Sequence, residues 1–165
     1  MRQRGVSATD QGIWETRGEP RYYLSSKLMC RVALDCAAQL AIRRGDSELA
    51  ASWAQNASQA KSDILERGLD ERGVLRQHYE TDPLDVSTLL AAIFGFLPGS
   101  EPRLRAIVLP IADELSENGF VLRYRTEHTG NYFRHLLLLA WKLSAGLLAP
   151  SRSWRLLHAS WLPRA

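Results

Sequence analysis

The stretch LSSKLMCRVALDCAAQLAIRR, residues 24–44, decides the fold of this chain. Its apolar residues recur every three or four positions, which is the period of an amphipathic helix. They are Leu24, Leu28, Val32, Cys36 and Leu40, with Met29, Ala33, Ala37 and Ala41 beside them. The pattern predicts a helix capped at its start by Ser25 or Ser26. Gly45 is expected to end it, because glycine readily adopts the left-handed conformation.

The next residues predict a second helix that returns along the first. Asp46 is a typical N-cap, and Glu48 would lie in the first turn, where a negative charge favours the helix dipole. The helix is expected over residues 47–67, with Gly68 as its end. Because the connection is short, the two helices should form an antiparallel hairpin.

The rest of the chain alternates short extended pieces with helices. Extended segments are predicted at residues 73–79 and 120–124, and helices at residues 86–96, from 102 or 103 to 119, and at 132–148. Asp85 is the natural cap of the first of these helices, and the second has an apolar stripe. The stripe consists of Leu104, Ile107, Val108, Ile111 and Leu115. Successive helical hairpins predict an all-α toroid or solenoid.

The bulk composition is that of one soluble globular domain. The chain has 165 residues, of which 45% are apolar and 24% charged. Its first ten residues hold no apolar stretch, which predicts neither a secretory signal nor a membrane anchor and favours a cytoplasmic location. Cys30 and Cys36 lie too far apart on one helix for a disulfide, and we expect them to be buried. The histidines show no metal-ligand spacing, so neither metal nor cofactor is expected.

The charge is distributed unevenly along the chain. Residues 1–122 hold 14 Lys and Arg against 17 Asp and Glu, whereas residues 123–165 hold 7 against 1. A basic end can indicate contact with nucleic acid. Here the arginines are scattered among Leu, Ser, Trp and Pro without a basic run, so we predict no nucleic-acid partner.

One carboxylate stands out in the polar stretch of residues 10–21, because Glu15 directly follows Trp14. A carboxylic acid beside an aromatic wall is partly removed from water, which disfavours its charged form and suits it to protonate a leaving group. The alternative is a solvated glutamate next to a tryptophan that anchors the core.

Four separated segments, in order, resemble bacterial glucoamylase and trehalase-like hydrolases of glycoside hydrolase family 15. The first reads GIWE at residues 12–15, then RG, SK, M and VALD up to residue 35. The others lie at residues 77–87, 95–102 and 118–126. The resemblance implies a slice of an (α/α)6 barrel, and inverting hydrolysis of α-glucosidic bonds in a glucoside or oligosaccharide.

The same resemblance implies roles for individual residues. Glu15 matches the general acid, and Trp14 would form a wall of the sugar site. Arg123 and Arg125 match a position that binds sugar hydroxyls, with a solvated strand as the alternative. Lys27 lies within the motif too, although a surface position in the first turn of the helix is the interpretation we favour. Asp85 is expected to act as a helix cap.

The general base of this family has no counterpart here, since no Asp or Glu follows Glu127. We therefore expect a fragment, with residues 1–126 a partial catalytic barrel and residues 127–165 a final helix and a divergent basic tail. Very low activity and self-association through uncovered barrel faces are expected as well. The alternative is a non-catalytic module that binds a protein partner through its helical hairpins.

Overall fold

The computed structural model describes residues 8–15, 18–117 and 120–125, and the backbone of Arg134–His135. Its centre is the predicted hairpin of helix α1, Leu24–Arg43, and helix α2, Ser47–Arg67. Gly45 joins them at a φ of 75°, and the Asp46 side chain accepts a hydrogen bond from the Leu49 amide at 3.0 Å. Both predicted signals at this turn are therefore confirmed.

The buried face of α1 differs from the predicted stripe. Its buried residues are Leu24, Ser25, Lys27, Leu28, Ala38 and Ala41. Cys36 and Leu40 are exposed and Cys30 is half-buried, so the prediction that both cysteines are buried is wrong. The reason is that α2 packs against another side of α1, and Ala33, Cys36 and Leu40 stay exposed.

The predicted serine cap of α1 is also wrong. The N-cap is Tyr23, which makes no capping hydrogen bond through its side chain. Ser25 is buried inside the first turn, and the Ser26 hydroxyl donates instead to the Asp10 carboxylate at 2.7 Å. Ser26 therefore joins α1 to the preceding segment.

The helix predicted at residues 86–96 is shorter and tighter. A 3-10 helix, Val86–Leu89, leads into a single turn of α-helix, α3, Leu90–Ile93. Helix α4 follows at Pro102–Leu115, and all five residues of its predicted stripe are buried. It ends before Gly119 because the chain turns into a strand after Leu115. No helix of the described residues is long and apolar enough to cross a membrane.

Three short antiparallel strands close the described part of the chain. They are β1, Ser116–Glu117, β2, Phe120–Leu122, and β3, Arg134–His135, in the order β1-β2-β3. Val121 is paired with Ser116 on one side and with His135 on the other. Strand β2 confirms the predicted extended segment, whereas β3 shows that the helix predicted from residue 132 does not include residues 134–135. Residues 136–148 of that prediction lie outside the described residues.

Helix α4 joins two apolar clusters. Leu104 and Ile107 belong to a first cluster with the α1–α2 hairpin, and Val108, Ile111 and Leu115 belong to a second one with β2. The segment at residues 73–79 crosses between the clusters and forms only isolated bridges, Leu69 with Leu75 and Tyr23 with His78. Trp14 packs against the second cluster, which brings the candidate site to this side of the molecule.

Candidate functional site

The segment before α1 folds into a turn that is held at its base. The backbones of Asp10 and Arg21 exchange two hydrogen bonds of 2.8 and 2.9 Å. One oxygen of the Asp10 carboxylate accepts from the Gly12 amide at 2.6 Å. Gly12 has a φ of 68°, and a Cβ there would lie 2.8 Å from the ring of Tyr23. Only glycine adopts this positive φ easily and lacks the Cβ that would collide with Tyr23, so the turn requires glycine at position 12.

Trp14 is fixed at its edge by a buried carboxylate. Its indole Nε1 donates to both oxygens of Asp85, at 3.0 and 3.1 Å. Asp85 is only 1% exposed, and it also accepts from the Ser87 amide at 2.7 Å and from Gln77 Nε2 at 3.2 Å. The predicted cap role of Asp85 is thus confirmed. The contact of Asp85 with Trp14 could not be predicted from a local pattern, because the two residues lie 71 positions apart.

The face of the same indole carries a cation. The guanidinium carbon of Arg123 lies 4.2 Å from the centroid of the Trp14 ring, within the range of a cation–π interaction. Arg123 is half-buried, and its carbonyl accepts from the Val86 amide at 2.9 Å. The structure therefore brings Trp14, Asp85 and Arg123 together.

Glu15 lies at the end of this turn and is exposed. Its φ is 48°, in the left-handed region that a non-glycine residue rarely adopts, and its amide donates to the Gly12 carbonyl at 3.2 Å. Because Glu15 is exposed, the prediction that the neighbouring indole shields its carboxylate from water is wrong for this chain. The role of Glu15 as an acid stays a prediction.

Lys27 is buried, so the surface position that we favoured for it is wrong. Only 1% of the residue is exposed, and its Nζ donates to the Ala8 carbonyl at 2.6 Å and lies 5.0 Å from the centroid of the Tyr22 ring. Burial lowers the pKa of Lys27, an effect that the nearby Asp10 carboxylate partly opposes. The side chain joins the N-terminal segment to α1.

Arg125 points to a different place from Arg123. It is exposed, and its Nε donates at 2.8 Å to the Glu114 carbonyl in the last turn of α4. Such a bond satisfies one of the carbonyls that a helix end leaves without a partner. Of the two predicted arginines, the structure therefore places only Arg123 against Trp14.

A second polar cluster lies beside α2. The Tyr79 hydroxyl donates to the Asp63 carboxylate at 2.6 Å, and Arg67 lies 4.2 Å from the Tyr79 ring centroid. Burial raises the pKa of the Tyr79 phenol, and the bond to Asp63 raises it further. No group of three or more residues that could hold a metal ion occurs in the part of the chain that the structure describes.

Comparisons with known proteins agree on one family. The family model for glycosyl hydrolases family 15 matches residues 3–156. A trehalase of Mycolicibacterium smegmatis is 55% identical over 120 residues, which are 73% of this chain and 18% of the trehalase. A trehalase of Mycobacterium tuberculosis is 53% identical over 120 residues, with the same shares of the two chains. This chain thus spans about a fifth of the length of these relatives.

Solved structures show the same fold. A wild-type glycosidase superimposes with a TM-score of 0.69 at 20% identity, over 88% of this chain and 40% of its own. A glycosidase variant in complex with glucose superimposes with a TM-score of 0.64 at 19% identity, over 72% of this chain and 31% of its own. The predicted slice of an (α/α)6 barrel is confirmed, whereas the domain boundary at residue 126 stays a prediction. From the family match and the identity to the two mycobacterial proteins, we conclude that the chain belongs to glycosyl hydrolases family 15.

Proposed function

We propose that this chain is the acid-bearing part of an inverting glycosidase that acts on α-glucosidic bonds, of the trehalase or glucoamylase type. One observation carries the assignment. The indole of Trp14 donates to the buried Asp85, and the exposed Glu15 directly follows Trp14 in a turn closed by the bond from its amide to the Gly12 carbonyl. The trehalase relatives support an α-glucoside as substrate.

In the proposed step, Glu15 donates its proton to the glycosidic oxygen while the bond from C1 to that oxygen breaks. Water attacks C1 from the opposite face, and a second carboxylate must accept its proton. No Asp or Glu follows Glu127 in this chain, so we assign no residue to that second role. The chain by itself should therefore turn over glucosides very slowly.

We assign contact with the sugar to Trp14 and Arg123. For Arg123 we assign hydrogen bonds to sugar hydroxyls, and its position against the indole of the residue that precedes Glu15 supports this role. We assign supporting roles to Lys27 and Arg125, because their nitrogens bind the Ala8 and Glu114 carbonyls.

Azide tests the acid without needing a base. This anion attacks C1 without deprotonation, so the chain incubated with trehalose and azide should form glucose and β-glucosyl azide in equal amounts. Glu15→Gln should reduce this rate by about 100- to 10,000-fold, the usual contribution of a general acid. The loss should be much smaller with 4-nitrophenyl α-glucoside, since nitrophenolate leaves without protonation.

Glu19→Gln is the matched control, because Glu19 is another exposed glutamate of the same segment. It should leave both rates unchanged. Equal losses of Glu15→Gln on the two substrates would remove the acid assignment. Absence of any azide product from the wild-type chain would overturn the proposed activity.

A second proposal concerns the uncovered side of α1, where a second copy of this chain would dock. Met29 and Leu40 are 39% and 55% exposed, and Ala33 and Cys36, which lie between them on the same side of the helix, are exposed as well. Contiguous exposed apolar surface favours association. This surface also supports the alternative function of a protein-interaction module, in which Glu15 would be dispensable.

A further inference from the structure

Asp85 makes more contacts than a helix cap requires. Capping the 3-10 helix uses only the bond from the Ser87 amide. The carboxylate also accepts from the Trp14 indole and from the Gln77 amide, while its own backbone bridges to Tyr124. In all three contacts the partner donates to the side chain of Asp85, whose oxygens act as acceptors.

These contacts join the separate parts of the candidate site. The indole held by Asp85 belongs to the residue that directly precedes Glu15, so the position of the indole sets the position of the Glu15 backbone. On the other side, the amide of Val86, which follows Asp85, donates to the Arg123 carbonyl at 2.9 Å. Asp85 therefore lies between the turn that carries Glu15 and the strand end that carries Arg123.

We propose that Asp85 is a positioning residue, which holds the Trp14–Glu15 turn and Arg123 in one arrangement through its buried carboxylate. It touches neither substrate nor the reacting atoms, and it acts through Trp14. The inference rests on the proposed function, because positioning has a catalytic effect only if Glu15 is the acid.

Asp85→Asn is the informative variant. Asparagine is as good an N-cap as aspartate, so the bond from the Ser87 amide and the 3-10 helix should persist. The retained oxygen can still accept from the Ser87 amide and from the indole at 3.0 Å. The other oxygen is replaced by an NH2 group, so the second indole contact at 3.1 Å, the bond from Gln77 and the negative charge of the acceptor are lost. Asp82→Asn is the control, since the Asp82 side chain is 91% exposed and lies three positions away.

Two measurements test the proposal. In NMR spectra of the labelled chain, the indole N–H of Trp14 should shift and exchange with solvent at least about 10-fold faster in Asp85→Asn. In the azide assay with trehalose, kcat should fall by about 10- to 100-fold, as for a lost hydrogen bond to a charged group, while KM changes less than about threefold. Asp82→Asn should change neither quantity.

A double variant separates positioning from general damage. If Asp85 acts through Trp14, the combination with Trp14→Phe should lose no more activity than the worse single variant. Fully additive losses, or an unchanged indole signal in Asp85→Asn, would overturn the proposal. Unchanged kcat in Asp85→Asn together with a strong loss in Glu15→Gln would overturn the positioning role alone. No azide product from the wild type would refute the proposed function and, with it, any catalytic effect of Asp85.

Discussion

Gly12→Ala should disrupt the turn that carries Trp14 and Glu15 more than its small change in volume suggests. The φ of Gly12 is 68°, and a Cβ at this position would lie 2.8 and 2.9 Å from two atoms of the Tyr23 ring. Tyr23 is itself buried, and its ring packs edge-on against His78 with the centroids 5.4 Å apart. The ring therefore has little room to move away from an added methyl group.

The expected loss combines two effects. A left-handed backbone costs a non-glycine residue about 1–2 kcal/mol, and overpacking costs about 1–3 kcal/mol, so the free energy of unfolding should fall by about 2–5 kcal/mol. Gly45→Ala is the matched control. Its φ is 75°, but nothing lies within 4 Å of an added Cβ, so it should lose only the backbone part of about 1–2 kcal/mol.

Urea unfolding followed by circular dichroism measures both variants under the same conditions. Gly12→Ala should be less stable than Gly45→Ala by about 1–3 kcal/mol. It should also speed solvent exchange of the Trp14 indole N–H, which Gly45→Ala should leave unchanged. Equal losses in the two variants would show that Tyr23 does not confine Gly12, and would refute the argument that the turn is held rigidly against α1.

The remaining predictions concern pH and association. The raised pKa of Tyr79 means that the unfolded chain loses the phenolic proton first, so this stabilisation is present below about pH 10 and is lost as the pH rises toward the folded pKa. Tyr79→Phe should therefore lose less stability than the wild type between about pH 10 and 11 in urea titrations, and an identical pH dependence would contradict the burial of the phenol. The wild-type chain should self-associate with rising concentration in sedimentation velocity, and Leu40→Glu should weaken this association, because Leu40 is 55% exposed on α1. A wild-type monomer at all concentrations would exclude the proposed docking of a second copy.

Local signals in the sequence predicted most of the helical architecture. Gly45 ends α1 and Asp46 caps α2 through contacts within a few residues, so the turn between the two helices was predictable from the local sequence. The stripe of α4 was also predictable, because a helix with one apolar side buries that side. The buried side of α1 was not predictable, because its apolar residues extend around much of the helix. Which of them are buried depends on where α2 packs.

For the candidate site too, the sequence and the tertiary structure contributed different information. The sequence alone supplied its candidate residues, because the tryptophan, the glutamate and the arginines stand in recognisable motifs, and it shows that no Asp or Glu follows Glu127. Only the tertiary structure decided that Trp14 bonds to Asp85, that Arg123 rather than Arg125 covers the indole, and that Lys27 is buried. These contacts join segments far apart in the chain, and burial and hydrogen bonding there depend on which elements pack together, which local patterns do not encode.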